Sequence, residues 1–356
     1  MVQENLELHH SDRYIVAGLV RPHKNMIGSG EGGHKTQTCG RLAVCVAAGM
    51  PFLGLDVEQG SVMIVDEETL WEDLDFWLTR FALGLGRGDW RELPIIVRSK
   101  QGFRFSRRTE LDRLIRELGQ LRPEPTLLSI DSVLACLPSG RQGLEENNST
   151  VGIAIRDDLD SVLQALPNMG IMITAHFRKS TGDLTYQEVR ESSMQGLVRG
   201  HGSIVGEGCD TGFAIFNISQ TVGSNDTTPT RFVIIPKARR RAVPVGEIYV
   251  ELREEAYGRG WARLERIPPV VIPPSKVALA VASLLSGSPI SQQDINREAA
   301  LYSRKEKLDA IEELLEHKVI IHGTSPLTYK LNPRRRTEAD REYLGMIGEG
   351  ISNSIL

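Results

Sequence analysis

Lys35 and Thr36 close a glycine-crowded turn, Gly28-Ser29-Gly30-Glu31-Gly32-Gly33-His34-Lys35-Thr36, and a helical pattern follows from Gln37 to Ala48. A turn of this composition aims backbone N–H groups at one point. A lysine at its end reaches an outer phosphate, and the adjacent hydroxyl ligates Mg²⁺. Read back from Lys35, the usual G-x-x-x-x-G-K-[ST] spacing puts Ser29 and His34 where glycine is expected. Glycine is favoured there for positive φ and close backbone approach. Gly28, Gly30, Gly32 and Gly33 are expected to supply that freedom in a slipped register. The candidate nucleotide-contacting residues are therefore Ser29, Gly30, Glu31, Gly32, Gly33, His34, Lys35, Thr36 and Gln37. A Gly-rich surface loop ahead of a helix would share this composition, so the strands downstream decide between the two.

Three apolar runs end in groups suited to such a loop. Val62-Met63-Ile64-Val65-Asp66-Glu67-Glu68 ends in acids, and a carboxylate at the crevice edge of a parallel sheet can orient and deprotonate a water for attack on a γ-phosphate. Acids also favour helix N-termini, so a solvated capping turn is the plain alternative. Thr126-Leu127-Leu128-Ser129-Ile130-Asp131-Ser132 has the form of a Walker B strand, whose acid binds the Mg²⁺ water shell. It is expected one sheet position from the strand that launches the loop. Gly170-Ile171-Met172-Ile173-Thr174-Ala175-His176 places a histidine at the same edge, where it would sense the phosphate. Arg178, Lys179, Arg199, Lys237, Arg239, Arg240 and Arg241 are the basic residues nearby in sequence. Phosphoryl transfer needs positive charge on the γ-phosphate, often from a neighbouring subunit, although most charge runs are only solvated faces.

These groups need a scaffold, and the sequence alternates strand and helix patterns. Strands are expected at Asn25–Gly28, Ser61–Val65, Ile95–Arg98, Thr126–Ile130, Gly170–Ala175, Thr211–Ile218, Arg231–Pro236 and Glu247–Leu252. Helices are expected at Lys35–Ala48, Leu70–Leu85, Arg107–Leu121 and Val151–Leu166. Nearly continuous Val/Ile/Leu strands alternating with helices give an α/β fold with a buried, mostly parallel sheet. The strands from Thr211 onward lack intervening helices and should extend one edge as antiparallel hairpins.

Pro268, Pro269, Pro273 and Pro274 mark a semi-rigid linker over 267–275. It separates a core of residues 1–266 from a C-terminal domain at 276–332. That domain is read as three helices (Lys276–Leu285, Ser291–Ala300 capped by Ser291, Arg304–His317) and a two-stranded wing from Val319–His322 and Leu327–Leu331, a winged-helix pattern. The tail 333–356 is expected to be mobile.

Among 356 residues, 40% are hydrophobic and 25% charged, and the net charge is −4. The balance is ordinary for a globular chain and advertises no strongly basic surface. Cys39, Cys45, Cys136 and Cys209 form no CxxC pair and read as core residues in a reducing compartment rather than zinc ligands or disulfides. No apolar run approaches the ~18 residues of a membrane span. The polar, acidic N-terminus is not a secretory signal, so a cytoplasmic location away from membranes is expected.

Taken together, these motifs resemble those of the RecA-like hexameric ATPases, and most closely the RepA-type replicative helicase group, AAA-family ATPases of plasmids and phages. The resemblance runs from Tyr14 to Glu265 and is carried by Ser29–Thr36, Gly54-Leu55-Asp56-Val57 with Gly60, Asp66-Glu67-Glu68, Ser129-Ile130-Asp131, Glu145-Glu146-Asn147-Asn148, Ala175-His176-Phe177-Arg178-Lys179 and Arg199-Gly200-His201-Gly202-Ser203 leading to Asp210. It implies a RecA-like P-loop core that uses ATP and Mg²⁺. Lys35 would hold phosphate, and Thr36 and Asp131 the metal. Glu68 would be the catalytic carboxylate, with Glu67 in reserve, and His176 the sensor. Arg199 would be a finger reaching across a subunit interface, and Lys237 with Arg239 a Lys-x-Arg pair near the nucleotide. The chain departs from the family at His34, at Phe177 where a second histidine is common, and at His201.

The implied partners are copies of itself in a hexameric ring and DNA, expected single-stranded, in the channel. The implied activity is ATP-driven helicase or translocase work in replication. An ATP-switched loading factor without unwinding, and a non-hydrolysing regulatory DNA-binding protein, are the alternatives. The polar runs Gln142–Ser149 and Arg178–Ser193 would be channel loops or plain surface loops. The helix from Arg304, with Lys305 and Lys307 near its start, would enter a major groove or dock a protein.

Overall fold

The computed structural model describes residues 13–30, 32–137, 149–178, 184–198, 200, 208–218, 230–238, 245–255, 260–269, 278, 281–282, 290–291, 295, 304–316, 319–322 and 328–331. The chain groups into two compact units, one from residues 1–184, 188–217 and 229–268, the other from 185–187, 218–228 and 269–356.

In the first unit, six strands run parallel: β1 (Lys24–Ser29), β2 (Ser61–Asp66), β3 (Ile95–Ser99), β4 (Pro125–Asp131), β5 (Gly170–His176) and β6 (Thr211–Asn217). Three more, β7 (Thr230–Ala238), β8 (Ile248–Glu254) and β9 (Ala262–Ile267), continue the sheet antiparallel, in the order β3-β2-β4-β5-β1-β6-β7-β8-β9. Every residue of β1 and β2 is buried, as strands covered on both faces require. The antiparallel extension is the one expected. Its outer strand β9 was not among the expected strands, although its start, Ala262-Arg263-Leu264, alternates buried with exposed positions. A second expectation is corrected. The strand ending in Asp131 is two positions from β1, because β5 lies between them.

Helices α1 (Lys35–Ala48), α2 (Trp71–Gly84), α3 (Arg108–Gln120) and α4 (Ser149–Ala165) alternate with the parallel strands. α1 packs on β2, β4 and α2 and is buried almost all round, with Leu42, Val44, Cys45 and Val46 in the core. It stops at Gly49, whose left-handed φ of 66° lets its N–H turn back to the carbonyls of Cys45 and Val46. The buried Arg80 of α2 pairs with Glu254 and donates to the carbonyls of Gly260 and Glu255, which fixes α2 to the antiparallel extension. Two short helices, α5 (Tyr186–Glu191) and α6 (Met194–Leu197), follow β5. All four cysteines are buried thiols outside any disulfide. Among the described residues no helix is long and apolar enough to cross a membrane.

The second unit contains α7 (Arg304–Glu316) and a three-stranded antiparallel sheet of β10 (Ile290–Ser291), β12 (Thr328–Leu331) and β11 (Ile320–His322) in that order. Ala278, Val281, Ala282, Ile295, Ile311, Leu314 and Ile320 form its own core. Ser291, expected as a helix cap, instead pairs with Thr328 as a strand residue. Lys307, expected near a nucleic-acid face, is buried. Most of the linker, the first two expected C-terminal helices and the whole tail lie outside the described residues, as does Gln142–Asn148.

Candidate active site

The parallel strands β1, β2, β4 and β5 all end at one edge of the sheet, and their last residues are Ser29, Asp66, Asp131 and His176. Ser29 is level with His176, and Asp66 with Asp131. Sheet register alone therefore gathers the loop and the acid-tipped strands.

The irregular loop has a local explanation. Ser29 is still a strand residue, fully buried, and needs no positive φ. Its Oγ donates to the Gly30 carbonyl at 2.7 Å and accepts from Lys35 Nζ at 3.0 Å. The freedom of glycine has moved to Gly32, at φ 68°, and to Gly33, where a Cβ would lie 2.3 Å from Ser29 Oγ. His34 keeps the left-handed conformation that glycine normally supplies, at φ 59° and ψ 21°. An L side chain there is strained by roughly 1–2 kcal/mol. The imidazole stacks on Phe232, with centroids 5.2 Å apart and 17° between planes, and Nε2 lies 3.5 Å from Asn217 Nδ2. Burial, with Lys35 adding to it, pushes the imidazole pKa down, so the ring is neutral. Gln37 sits half-buried in the first turn of α1, and Glu31 lies outside the described residues.

Thr36 Oγ1 donates to Asp131 Oδ2 at 2.7 Å, and Thr174 Oγ1 donates to Asp131 Oδ1 at 2.5 Å. Burial raises the Asp131 carboxyl pKa even against those two donors. Asp66 is wholly buried beside it, and its carboxyl is pushed up to about 6, first by burial and then by Asp131. Asp66 Oδ1 accepts from the amides of Glu68 at 2.9 Å and Thr69 at 2.7 Å, so it shapes the turn that presents Glu68. Its Oδ2 has no partner among the described residues.

A carboxyl with a raised folded pKa costs stability as pH rises from its unfolded value of about 3.8 through about 6. Asp66→Asn keeps the accepting oxygen and removes the charge. In metal-free buffer it is expected to stabilise the chain by on the order of 2 kcal/mol at pH 8 and by about half as much at pH 5. Thermal melts of both proteins at the two pH values measure the difference, and an equal shift at both would contradict this account.

The two glutamates after Asp66 separate cleanly. The Glu67 side chain is nearly enclosed and accepts from the amides of Gly102 and Phe103 and from the Arg104 guanidinium, each within 3.1 Å. It is occupied as a brace for the 102–104 loop, which argues against its reserve role. Glu68 is half-exposed and lies 3.2 Å from His176 Nε2, and that hydrogen bond holds its carboxyl down at about 2. His176 Nδ1 lies 3.4 Å from Lys35 Nζ. An ammonium only donates, so Nδ1 accepts and the ring proton sits on Nε2, facing Glu68. Ser29, Lys35, His176 and Glu68 thus form one connected chain of polar contacts.

Among the described residues no group of three or more His, Cys, Asp or Glu could hold a metal. A cation at Thr36 and Asp131 would complete its shell from water and phosphate, which suits Mg²⁺ with its few protein ligands.

Lys237 is not brought to this cluster. It is level with Gly212 on β6, five positions along β7 from the Phe232 that touches His34, about 17 Å at the strand rise. Its Nζ donates to the Arg190 carbonyl, and burial lowers its pKa to about 8. Arg199 and Arg239 lie outside the described residues, as do Lys179, Arg240, Arg241 and His201. Sequence reasoning missed Thr174, although it stands two residues before His176 on the same face of β5. It also missed Asn217 and Phe232, which carry no local signal.

No curated protein matches the chain. Among solved structures, the ATPase domain of G40P aligns with a TM-score of 0.48 at 10% identity, over 69% of this chain and 84% of that one. Residues 7–182, a span that includes Lys35, Thr36, Glu68, Asp131 and His176, match the family described as the AAA domain.

Proposed function

We propose that the chain is a Mg²⁺-dependent ATPase with a RecA-like core, and that it assembles into a ring and couples hydrolysis to movement along DNA in replication. The observation that carries the ATPase reading is the meeting of Lys35, Thr36, Asp131, His176 and Glu68 at one sheet edge. The AAA-domain match over residues 7–182 supports it. The ring and the DNA partner rest on the resemblance of the motifs to the RepA-type helicases. The helix and small antiparallel sheet of the second unit support a winged-helix reading of residues 276–332.

In this mechanism Lys35 and the loop amides neutralise the phosphate oxygens. Thr36 and Asp131 would hold Mg²⁺, which would supply charge neutralisation for the departing diphosphate. Glu68 accepts a hydrogen bond from the attacking water and turns it in line. His176 bridges Lys35 and Glu68, so it registers whether Lys35 has moved onto a phosphate. Arg199, or Lys237 with Arg239, would act on a neighbouring subunit's nucleotide.

An ATP turnover assay on the full chain, with and without single-stranded DNA and with a chelator, tests this function. Turnover that needs Mg²⁺ and rises severalfold with DNA is expected. Turnover indifferent to DNA would remove the motor part of the reading, and no turnover would remove its core. A duplex-unwinding assay then separates a helicase from a loading factor.

A further inference from the structure

The loop residue that breaks the glycine pattern is fastened to something outside the loop. His34 adopts a conformation in which a Cβ is disfavoured, and its Nδ1 is enclosed with no hydrogen-bond partner among the described residues. Glycine at this position would relieve both costs. What glycine would forfeit is the ring, which lies flat on Phe232 and beside Asn217.

Asn217 and Phe232 are not two separate neighbours. They are direct cross-strand partners, one rung of the β6–β7 ladder. The parallel side of β6 in turn lies against β1, with Ile215 level with Ser29. The ribbon is therefore joined to the phosphate loop at both ends, through the launching strand before it and through His34 after it. Phe232 is fully buried, so the ring rests on a fixed surface rather than on a mobile side chain. The carbonyl of His34 meanwhile accepts from the amide and the hydroxyl of Thr38, so the same residue begins α1.

We propose that His34 is a positioning residue that clamps the end of the phosphate loop to the Asn217–Phe232 rung, so that the loop's response to a bound triphosphate is passed to the β6–β7 ribbon. The clamp rests on the nucleotide reading above. It assigns to His34 a coupling role that glycine at this position cannot fill, because glycine has no side chain to reach β7.

Hydrogen–deuterium exchange on the full chain, with and without a slowly hydrolysed ATP analogue and Mg²⁺, tests it. In the wild type, nucleotide is expected to slow exchange about tenfold at the loop amides of 30–36 and again at the rung, 216–217 and 231–232. In His34→Gly the loop is still protected and the response of the rung is lost. His34→Phe keeps a ring on Phe232 and restores it. A rung that ignores nucleotide in the wild type, or one that responds equally in wild type and His34→Gly, would overturn the clamp and leave the nucleotide site standing. A wild-type loop unprotected by nucleotide would overturn the nucleotide reading and the clamp with it.

Discussion

Replacing Lys35 with alanine is expected to lower ATP turnover by at least roughly a hundredfold, the scale seen when one preorganised charge-stabilising donor is removed. The thermal midpoint should move by only about 3 °C. The two expectations have different causes. Lys35 is buried at the start of α1, and its ammonium is held by Ser29 Oγ at 3.0 Å and His176 Nδ1 at 3.4 Å. Both of those groups keep other partners when the ammonium goes: Ser29 still donates to Gly30, and His176 still donates to Glu68. The fold therefore loses little. The chemistry loses the charge that must meet the phosphate oxygens, and no other cation in the described loop replaces it. Lys35 also helps to lower the carboxyl pKa values of Asp131 and Glu68, so its removal raises both. Turnover assays beside a melting curve and a circular dichroism spectrum check this. Unchanged turnover in a folded variant would detach the loop from the reaction.

How far such a site can be read from sequence depends on which interactions set each residue. The strands and helices of the parallel half were legible because burial on both faces imposes long apolar runs, as in Val62–Val65 and Ile171–Ile173. Their tips were legible because parallel strands must end at a common edge. Sheet order was not, since nothing within the run Thr126–Asp131 says which strand lies beside it, and β5 stands between that strand and β1. The preference for Glu68 over Glu67 came from the resemblance alone, and its physical reason was equally hidden. It turns on the amides of Gly102 and Phe103, far along the chain and brought close only by the pairing of β2 with β3. His34 stood out as an anomaly in the glycine pattern, but its explanation lies on β6 and β7, and sequence spacing carries no trace of that contact.

The same separation of the two glutamates gives the second large effect. Glu68→Gln is expected to lower kcat by roughly a hundredfold to ten-thousandfold while leaving the apparent affinity for ATP nearly unchanged. Glutamine keeps the size and the contact with His176 but cannot draw on a water with a full negative charge. The hydrogen bond from His176 holds the Glu68 carboxyl at about 2, so it is ionised at every pH where the protein would be assayed. The sign follows from that depression. Any stability this carboxylate lends is fully present above its unfolded value near 4.5 and is lost progressively as pH falls from there through about 2. An acidic limb in the pH–rate profile with a midpoint near 4.5 would therefore not belong to Glu68 in this state. A carboxylate held so low is a weak proton acceptor but a good hydrogen-bond acceptor. Its first task is to orient the water, and it takes the proton only as the tie to His176 loosens. Glu67→Gln should behave in the opposite way. Losing the charge that faces Arg104 in a nearly enclosed site is expected to cost about 2 kcal/mol of stability, with kcat far less affected. Measuring kcat and thermal midpoint for both variants distinguishes them. A Glu67→Gln chain that stays folded but inactive, beside an active Glu68→Gln, would transfer the water-orienting role to Glu67 and remove the part given to His176.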